Sequence, residues 1–168
     1  MGELRDISLE AWKDIFESRI GKEQLRIGTD IFPPPQIIGF LLHELIPNKL
    51  AKKYPKEWTK DKTAKEKDLV YIPNPDNSIE IKTSSHPKQI FGNRSYGQKQ
   101  TNPKKDKSGY YLAINFEGFT DSKKPKIRLI RFGWLDHSDW IAQEAATGQQ
   151  AHLTNEANNL KLLTIYPI

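Results

Sequence analysis

The chain has 168 residues, with 26 Lys and Arg against 21 Asp and Glu, a formal net charge of +5 and a pI near 9.3. This length suits one domain with a substantial core, which we expect to span residues 1–168, and the positive charge suits a polyanionic partner such as nucleic acid. The chain lacks cysteine, which excludes disulfides and thiolate metal sites.

The sequence has no segment that predicts export or membrane insertion. Residues 1–6 lack the apolar stretch of a signal peptide. The longest apolar run, residues 37–42, is far too short to span a bilayer. We therefore expect a cytoplasmic protein that does not associate with a membrane.

Two helices are predicted in the first third of the chain. Residues 7–20 carry apolar side chains at near-helical spacing, with Ser8 as the N-cap and Gly21 as the stop signal. After three consecutive prolines, residues 36–53 are predicted to form a second amphipathic helix, in which Pro47 is expected to kink or end the regular part.

The middle of the chain predicts a β-hairpin. Residues 52–67 are rich in lysine and are expected to form a solvated loop or a short polar helix. Residues 68–72 have a strand pattern, and residues 73–77 form a dense turn signal. Residues 78–83 alternate polar and apolar side chains, which predicts the second strand of the hairpin.

The rest of the chain predicts more strands. We expect strands at residues 110–116 and 127–132, a weak helix at residues 139–147 and a last strand at residues 160–166. The order of helices followed by an antiparallel-rich sheet predicts an α+β or mixed α/β fold. Two tryptophans in this region are expected to anchor the core or a dimer interface: Trp134 and Trp140.

Two carboxylates and an ammonium group are predicted to converge on one face of the hairpin. Side chains alternate faces along a strand, so Glu80 and Lys82 share a face. In an antiparallel pair that turns at Asn74 or Pro75, even-numbered positions pair with even-numbered positions, which brings Asp68 to the same face.

This set of side chains suits phosphodiester hydrolysis. The carboxylates of Asp68 and Glu80, with the backbone carbonyl of Ile81, are hard oxygen ligands of the kind that Mg²⁺ prefers. Bound Mg²⁺ polarises a phosphate and lowers the pKa of a bound water, and Lys82 would orient or deprotonate that water. The alternative is a solvated strand face, because Glu-x-Lys is common by chance.

The same residues resemble a known nuclease signature. Asp68, followed twelve residues later by Glu80-Ile81-Lys82 across a strand-turn-strand, looks like the PD-(D/E)xK motif. The sequence departs from the motif at Lys67, where the motif has proline. The other proline–aspartate pair, Pro75-Asp76, lies only four residues before Glu80, which is too close for a residue on the neighbouring strand.

A longer run is similar to a narrower family, the ScaI-like type II restriction endonucleases. It covers residues 80–96 (EIKTSSHPKQIFGNRSY) and residues 38–47 (IGFLLHELIP). The resemblance implies a restriction-endonuclease-like α/β core, in which a mixed central sheet is flanked by helices. It also implies a homodimer that cuts palindromic duplex DNA and leaves 5′-phosphates.

The superfamily resemblance also implies a third carboxylate from an N-terminal helix. Glu44, at the edge of the apolar stripe, is the candidate for an assisting catalytic role. The alternative is that Glu44 marks only the polar boundary of an amphipathic helix. His43 falls on the opposite side of the helix and is expected at the surface.

The polar segment after Glu80-Ile81-Lys82, residues 86–109, is expected to be a loop that includes a short helix. It contains Arg, Asn and Gln, the side chains that recognise guanine and adenine edges in the major groove. The alternative is a polar loop without a binding role. The predicted DNA-contacting residues are Ser84, Ser85, His86, Lys88, Asn93, Arg94, Ser95, Tyr96, Gln98 and Lys99.

Two other functions stay open from the sequence. One is a structure-selective or repair nuclease, such as a Holliday-junction resolvase, built on the same core. The other is a non-catalytic DNA-binding protein that keeps the fold. Magnesium-dependent cutting of linear or branched DNA would separate these possibilities.

Overall fold

A computed structural model of the protein describes residues 1–63, 65–98, 107–143 and 150–167. Helix α1 spans Gly2–Glu17, and helix α2 spans Pro35–Lys53. Neither of these helices is both long and apolar enough to cross a membrane, within the part of the chain that is described.

Helix α1 begins five residues earlier than predicted. Its buried stripe starts at Leu4 and continues through Ile7, Ala11 and Ile15, so the apolar spacing recruits the first residues into the helix. Ser8 is therefore not an N-cap. It is buried inside the helix, and its hydroxyl donates to the carbonyl of Leu4 at 2.6 Å.

Helix α2 has nearly the predicted bounds but continues through Pro47 instead of ending there. Ile46 and Leu50 on either side of this proline are buried in the core. Their packing outweighs the cost of the missing backbone hydrogen bond.

Nine strands occur in the described residues and form two sheets. A six-stranded sheet has the order β1-β2-β3-β5-β6-β9, in which only the β3–β5 pair is parallel, and a three-stranded sheet has the order β4-β8-β7. The strands are β1 (Trp58–Lys60), β2 (Leu69–Tyr71), β3 (Ile79–Ser84), β4 (Phe91–Asn93), β5 (Gly109–Phe116), β6 (Ile127–Leu135), β7 (Trp140–Ala142), β8 (Gln150–Leu153) and β9 (Leu163–Tyr166). The predicted α/β architecture with a mixed central sheet is confirmed.

The two faces of the central sheet have different neighbours. Both helices pack against the face that carries Ile79 and Ile81. The opposite face, which carries Tyr111 and Ala113, packs against the three-stranded β4-β8-β7 sheet, the small sheet. Because side chains alternate along β3, Glu80 lies on the face toward the small sheet.

The small sheet is the main departure from the predictions. Strand β7 replaces the first part of the helix predicted at residues 139–147, because Trp140 pairs with Leu153 of β8 and is buried. The rest of that predicted helix, residues 144–149, lies outside the described residues. The last predicted strand is shortened to β9, since a π-helical turn, Ala157–Lys161, precedes it.

Candidate active site

The β2–β3 hairpin places Asp68 beside the triplet, in the predicted register. Leu69 pairs with Ile79. In the same antiparallel register, Asp68, the residue before β2, is aligned with Glu80. The Asp68 carboxylate accepts a hydrogen bond from the backbone N–H of Ile81 at 2.7 Å. The even-with-even pairing predicted from the turn is confirmed.

Glu80 and Lys82 form an ion pair on the face toward the small sheet. The Lys82 Nζ lies 2.6 Å from Glu80 Oε1, and only 15% and 16% of the two side chains are exposed. Lys82 stands in register with Ala113 on β5, a buried residue with a small side chain. A water-restricted pair of this kind is electrostatically stronger than an exposed one.

Tyr96 is placed differently from the prediction. It was expected at the DNA-facing surface, but only 5% of it is exposed, because its ring packs against Trp140 at 4.8 Å between centroids. Its hydroxyl donates to Glu80 Oε1 at 2.7 Å. Burial, and then the charge of Glu80, raise the pKa of Tyr96 above its ordinary value, so the phenol remains a proton donor.

His43 also belongs to this site, although it was predicted on the far side of α2. Its Nδ1 lies 3.4 Å from Asp68 Oδ1. The signal that the sequence contained is Gly39, one turn earlier on the same face, where an added Cβ would meet the Thr83 hydroxyl at 2.6 Å. Gly39 therefore lets α2 approach β3 closely, and His43 follows toward the hairpin.

Asp68 is ionised more readily than an ordinary aspartate. Burial raises the pKa of Asp68, but the hydrogen bond and charge of His43 and the N–H of Ile81 outweigh burial, so the pKa lies below its usual value. The carboxylate is therefore negatively charged at neutral pH, as a cation ligand must be.

Replacing His43 with alanine is expected to raise the pKa of Asp68, because the hydrogen bond and charge of His43 would no longer counteract the effect of burial. A carboxyl with a depressed folded-state pKa stabilises the fold above its ordinary pKa of 3.8 and loses that contribution as the pH falls through the folded value. Acid unfolding of His43→Ala should therefore begin at a higher pH than in the wild type. Circular dichroism during acid titration measures this, with His152→Ala as the control, and equal midpoints would contradict it.

Glu44 lies near the site but is paired with a lysine. Its Oε2 accepts a hydrogen bond from Lys60 Nζ at 2.5 Å, and 38% of its side chain is exposed. Lys60 is on β1, the edge strand next to β2. The role of Glu44 as a third catalytic carboxylate stays a prediction.

The donors around the hairpin end fit a hard divalent cation. Asp68 and Glu80 supply carboxylate oxygens, and Ile81 adds a carbonyl that leaves the strand on the same edge as its N–H, toward Asp68. No group of three or more His, Asp or Glu side chains is gathered into a metal site among the described residues. A pair of carboxylates can still hold a hard divalent cation whose coordination shell is completed by water and substrate phosphate.

An open cleft of about 960 Å³ is lined by His43 and Thr83, the neighbours of Asp68 and Lys82. Asp68, Glu80 and Ile81 do not themselves line it. One wall is the N-terminal half of α2 from Pro35 to Glu44, including the exposed Phe40. The other wall contains four of the predicted DNA-contacting residues: Ser84, Ser85, His86 and Asn93.

The remaining predicted DNA contacts are distributed around this cleft. Arg94 and Ser95 are exposed on a short helical turn, Arg94–Gly97, directly after Asn93. Lys88 is exposed, but its ammonium donates to the side chain of Asn159 at 2.5 Å. Gln98 is exposed beside His137, to which its carbonyl bonds at 2.7 Å, and Lys99 lies outside the described residues.

Comparison with known proteins agrees with this geometry. The family model of the ScaI restriction endonuclease matches residues 1–166. The type II restriction enzyme ScaI of Streptomyces caespitosus is 52% identical over 166 residues, which cover 97% of this chain and 72% of the relative. The similarity extends through the C-terminal third, which the motifs alone did not reach. The chain therefore belongs to the ScaI restriction endonuclease family, and its mixed α/β fold is restriction-endonuclease-like.

Proposed function

We propose that this member of a restriction endonuclease family hydrolyses both strands of duplex DNA at a short palindromic sequence and leaves 5′-phosphates. The observation that carries the proposal is the convergence of Asp68, Glu80 and Lys82 at the hairpin end, within a chain 52% identical to a type II restriction enzyme. A carboxylate pair with an adjacent ammonium is suited to hydrolysis of a phosphodiester.

Mg²⁺ is the proposed cofactor, held by Asp68, Glu80 and the carbonyl of Ile81. When bound, such an ion polarises the scissile phosphate and makes a coordinated water more acidic. The depressed pKa of Asp68 supports this ligand set, because the carboxylate is available over the whole neutral range.

Lys82 is proposed to orient the attacking water. Its Nζ is fixed at 2.6 Å from Glu80 and lies 4.7 Å from the centre of the Tyr96 ring. A fixed, poorly hydrated ammonium donates to a water or to a phosphate oxygen without first losing solvent.

Duplex DNA is proposed to occupy the cleft beside α2. Ser84, Ser85 and His86 lead from the end of β3 along its wall, where hydroxyl and imidazole groups suit phosphate oxygens. Asn93 and Arg94 follow on an exposed turn, and both side chain types recognise base edges. A net charge of +5 favours association with the duplex.

A homodimer is part of the proposal, because two symmetric active sites suit a palindrome. Trp134 and Leu163, on neighbouring strands of the central sheet, are 44% and 58% exposed and offer apolar area for such an interface. We also propose that residues 1–168 form one nuclease domain. The enzyme is proposed to act in the cytoplasm, on DNA that enters the cell.

Digestion of long duplex DNA tests the proposed function. With Mg²⁺ we expect discrete fragments, with EDTA none, and sequencing of the fragment ends should give one palindrome and 5′-phosphates. Analytical ultracentrifugation with a duplex carrying that palindrome should give two chains per duplex. Cutting of branched but not linear DNA would favour a structure-selective nuclease instead. A mobility shift without cutting under any divalent cation would indicate a non-catalytic binding protein.

A further inference from the structure

Tyr96 connects the Glu80–Lys82 ion pair to the exposed Arg94–Gly97 turn beside the cleft. Its hydroxyl donates to Glu80 Oε1 at 2.7 Å, the same oxygen that accepts from Lys82 at 2.6 Å. The Lys82 ammonium lies 4.7 Å from the centre of the Tyr96 ring. One buried side chain therefore contacts both members of the ion pair, through a hydrogen bond and through a cation–π contact.

The small sheet fixes the Tyr96 ring from behind. Trp140 of β7 meets it edge-on, and Gly92 of β4 packs so closely that an added Cβ would lie 2.6 Å from the Tyr96 Cγ. Strands β4 and β7 are joined through β8. The ring therefore has little freedom to move without the small sheet.

The other end of the link is the exposed turn at the cleft. Tyr96 is the third residue of the Arg94–Gly97 turn, and Asn93 caps that turn by accepting hydrogen bonds from the N–H and the hydroxyl of Ser95 at 3.0 and 2.6 Å. Asn93 and Ser95 are exposed, whereas Tyr96 is buried. Because Tyr96 directly follows Ser95, a displacement of the Arg94–Gly97 turn would also move the Tyr96 hydroxyl.

We propose that Tyr96 is a positioning residue that holds Glu80 and Lys82 in their reactive arrangement. It also couples that arrangement to the Arg94–Gly97 turn and its cap, Asn93. DNA bound correctly against the turn would keep the phenol on Glu80, and DNA bound incorrectly would withdraw it. This inference rests on the proposed nuclease function.

The test is Tyr96→Phe, which keeps the ring and removes only the hydroxyl. We expect kcat on the cognate site to fall about 10–100-fold, the range for loss of a group that supports a metal ligand. The KM for DNA and the thermal unfolding midpoint should stay near the wild-type values, and the Mg²⁺ concentration for half-maximal rate should increase. The rate at sites with one altered base should fall less, so that discrimination between sites narrows.

Tyr110→Phe is the matched control. Tyr110 lies on the helix-facing side of the central sheet, stacked on Phe132, and its replacement should leave kcat and the Mg²⁺ requirement unchanged. A second variant, Gly92→Ala, keeps the hydroxyl but displaces the ring, and we expect it also to lower kcat.

Three results would overturn the inference. One is Tyr96→Phe with wild-type kcat and Mg²⁺ requirement. Another is a change in KM alone, which would make Tyr96 a DNA contact. A third is an equal loss of rate at cognate and altered sites, which would remove the coupling. If the wild-type protein itself does not cut DNA, the proposed function fails first, so the two failures are distinguishable.

Discussion

Lys82→Met is expected to lower the rate of DNA cleavage by about 10²–10⁴-fold, the range for loss of a positioned proton-transfer group. Methionine keeps much of the apolar length of lysine but removes the ammonium that lies 2.6 Å from Glu80 Oε1. The attacking water would lose its positioned donor. Single-turnover cleavage of a duplex that carries the cognate site, in Mg²⁺, measures the effect.

DNA binding should survive the same substitution. Lys82 is only 15% exposed and lies on β3 behind the cleft, so it has little surface to offer the duplex backbone. We expect the Kd, measured by mobility shift without Mg²⁺, to stay within a few-fold of the wild type. Lys13→Met, which removes an exposed ammonium on α1, is the control for charge alone. Wild-type cleavage by Lys82→Met would show that the triplet is not the active site.

Arg131→Met is expected to cause a large loss in the free energy of unfolding. Arg131 is 1% exposed on β6 and donates to the carbonyls of Lys88 and Asn158 and to the side chain of Asn115. Within the described residues no carboxylate pairs with it, and burial lowers the pKa of Arg131 to about 10, so it remains protonated at neutral pH. The Arg131 Nε has no hydrogen-bond partner among the described residues, so the buried charge depends on the oxygens that its two terminal nitrogens reach.

The substitution would leave several buried oxygens without donors. Each unsatisfied group costs about 1–3 kcal/mol, partly offset by the removal of a buried charge, so we expect a net loss of about 2–4 kcal/mol in the free energy of unfolding. Urea unfolding measures this loss. Arg128→Met, on the same strand, breaks only a partly exposed pair with Asp121 and should cost less than about 1 kcal/mol. Equal effects of the two variants would contradict the structural role of Arg131.

Arg131 matters for function because it holds the segment that follows the active strand. It donates to the carbonyl of Lys88, while Asn115 donates to the carbonyls of His86 and Gln89 at 2.8 and 2.9 Å. Three carbonyls of residues 86–89 are thus fixed by two buried side chains of the central sheet. The cleft wall at His86 is therefore held by hydrogen bonds from the central sheet, although it has no regular secondary structure.

The hairpin and its register could be predicted from the sequence because the signals were local. The turn at residues 73–77 and the alternation of residues 78–83 fix which face Glu80 occupies. The spacing along the chain then selects Asp68 over Asp76, because Asp76 lies in the turn itself. Strands β5 and β6 were also found, since their runs of apolar residues are long.

The small sheet and the contacts of His43 could not be predicted in the same way. Strands β4, β7 and β8 have three or four residues each, too few for a periodic pattern, and β4 pairs with β8, which is distant in sequence. The role of Tyr96 depends on that sheet, so it was hidden. A helical wheel places His43 relative to its neighbours on α2, but only the docking of Gly39 on Thr83 decides which face meets the hairpin.

The distances along the chain between paired strands have a consequence for how the enzyme matures. Leu69 and Ile79 close a loop of 10 residues, whereas Phe91 and His152 of the small sheet are 61 residues apart. Closing the longer loop costs about 1.6 kcal/mol more in chain entropy by the (3/2)RT ln n relation. We expect the β2–β3 hairpin to form early in folding and the pairing of β4 with β8 to form late. A nascent chain would then gather its carboxylates before Tyr96 reaches Glu80, and full nuclease activity would arise only at the final step of folding.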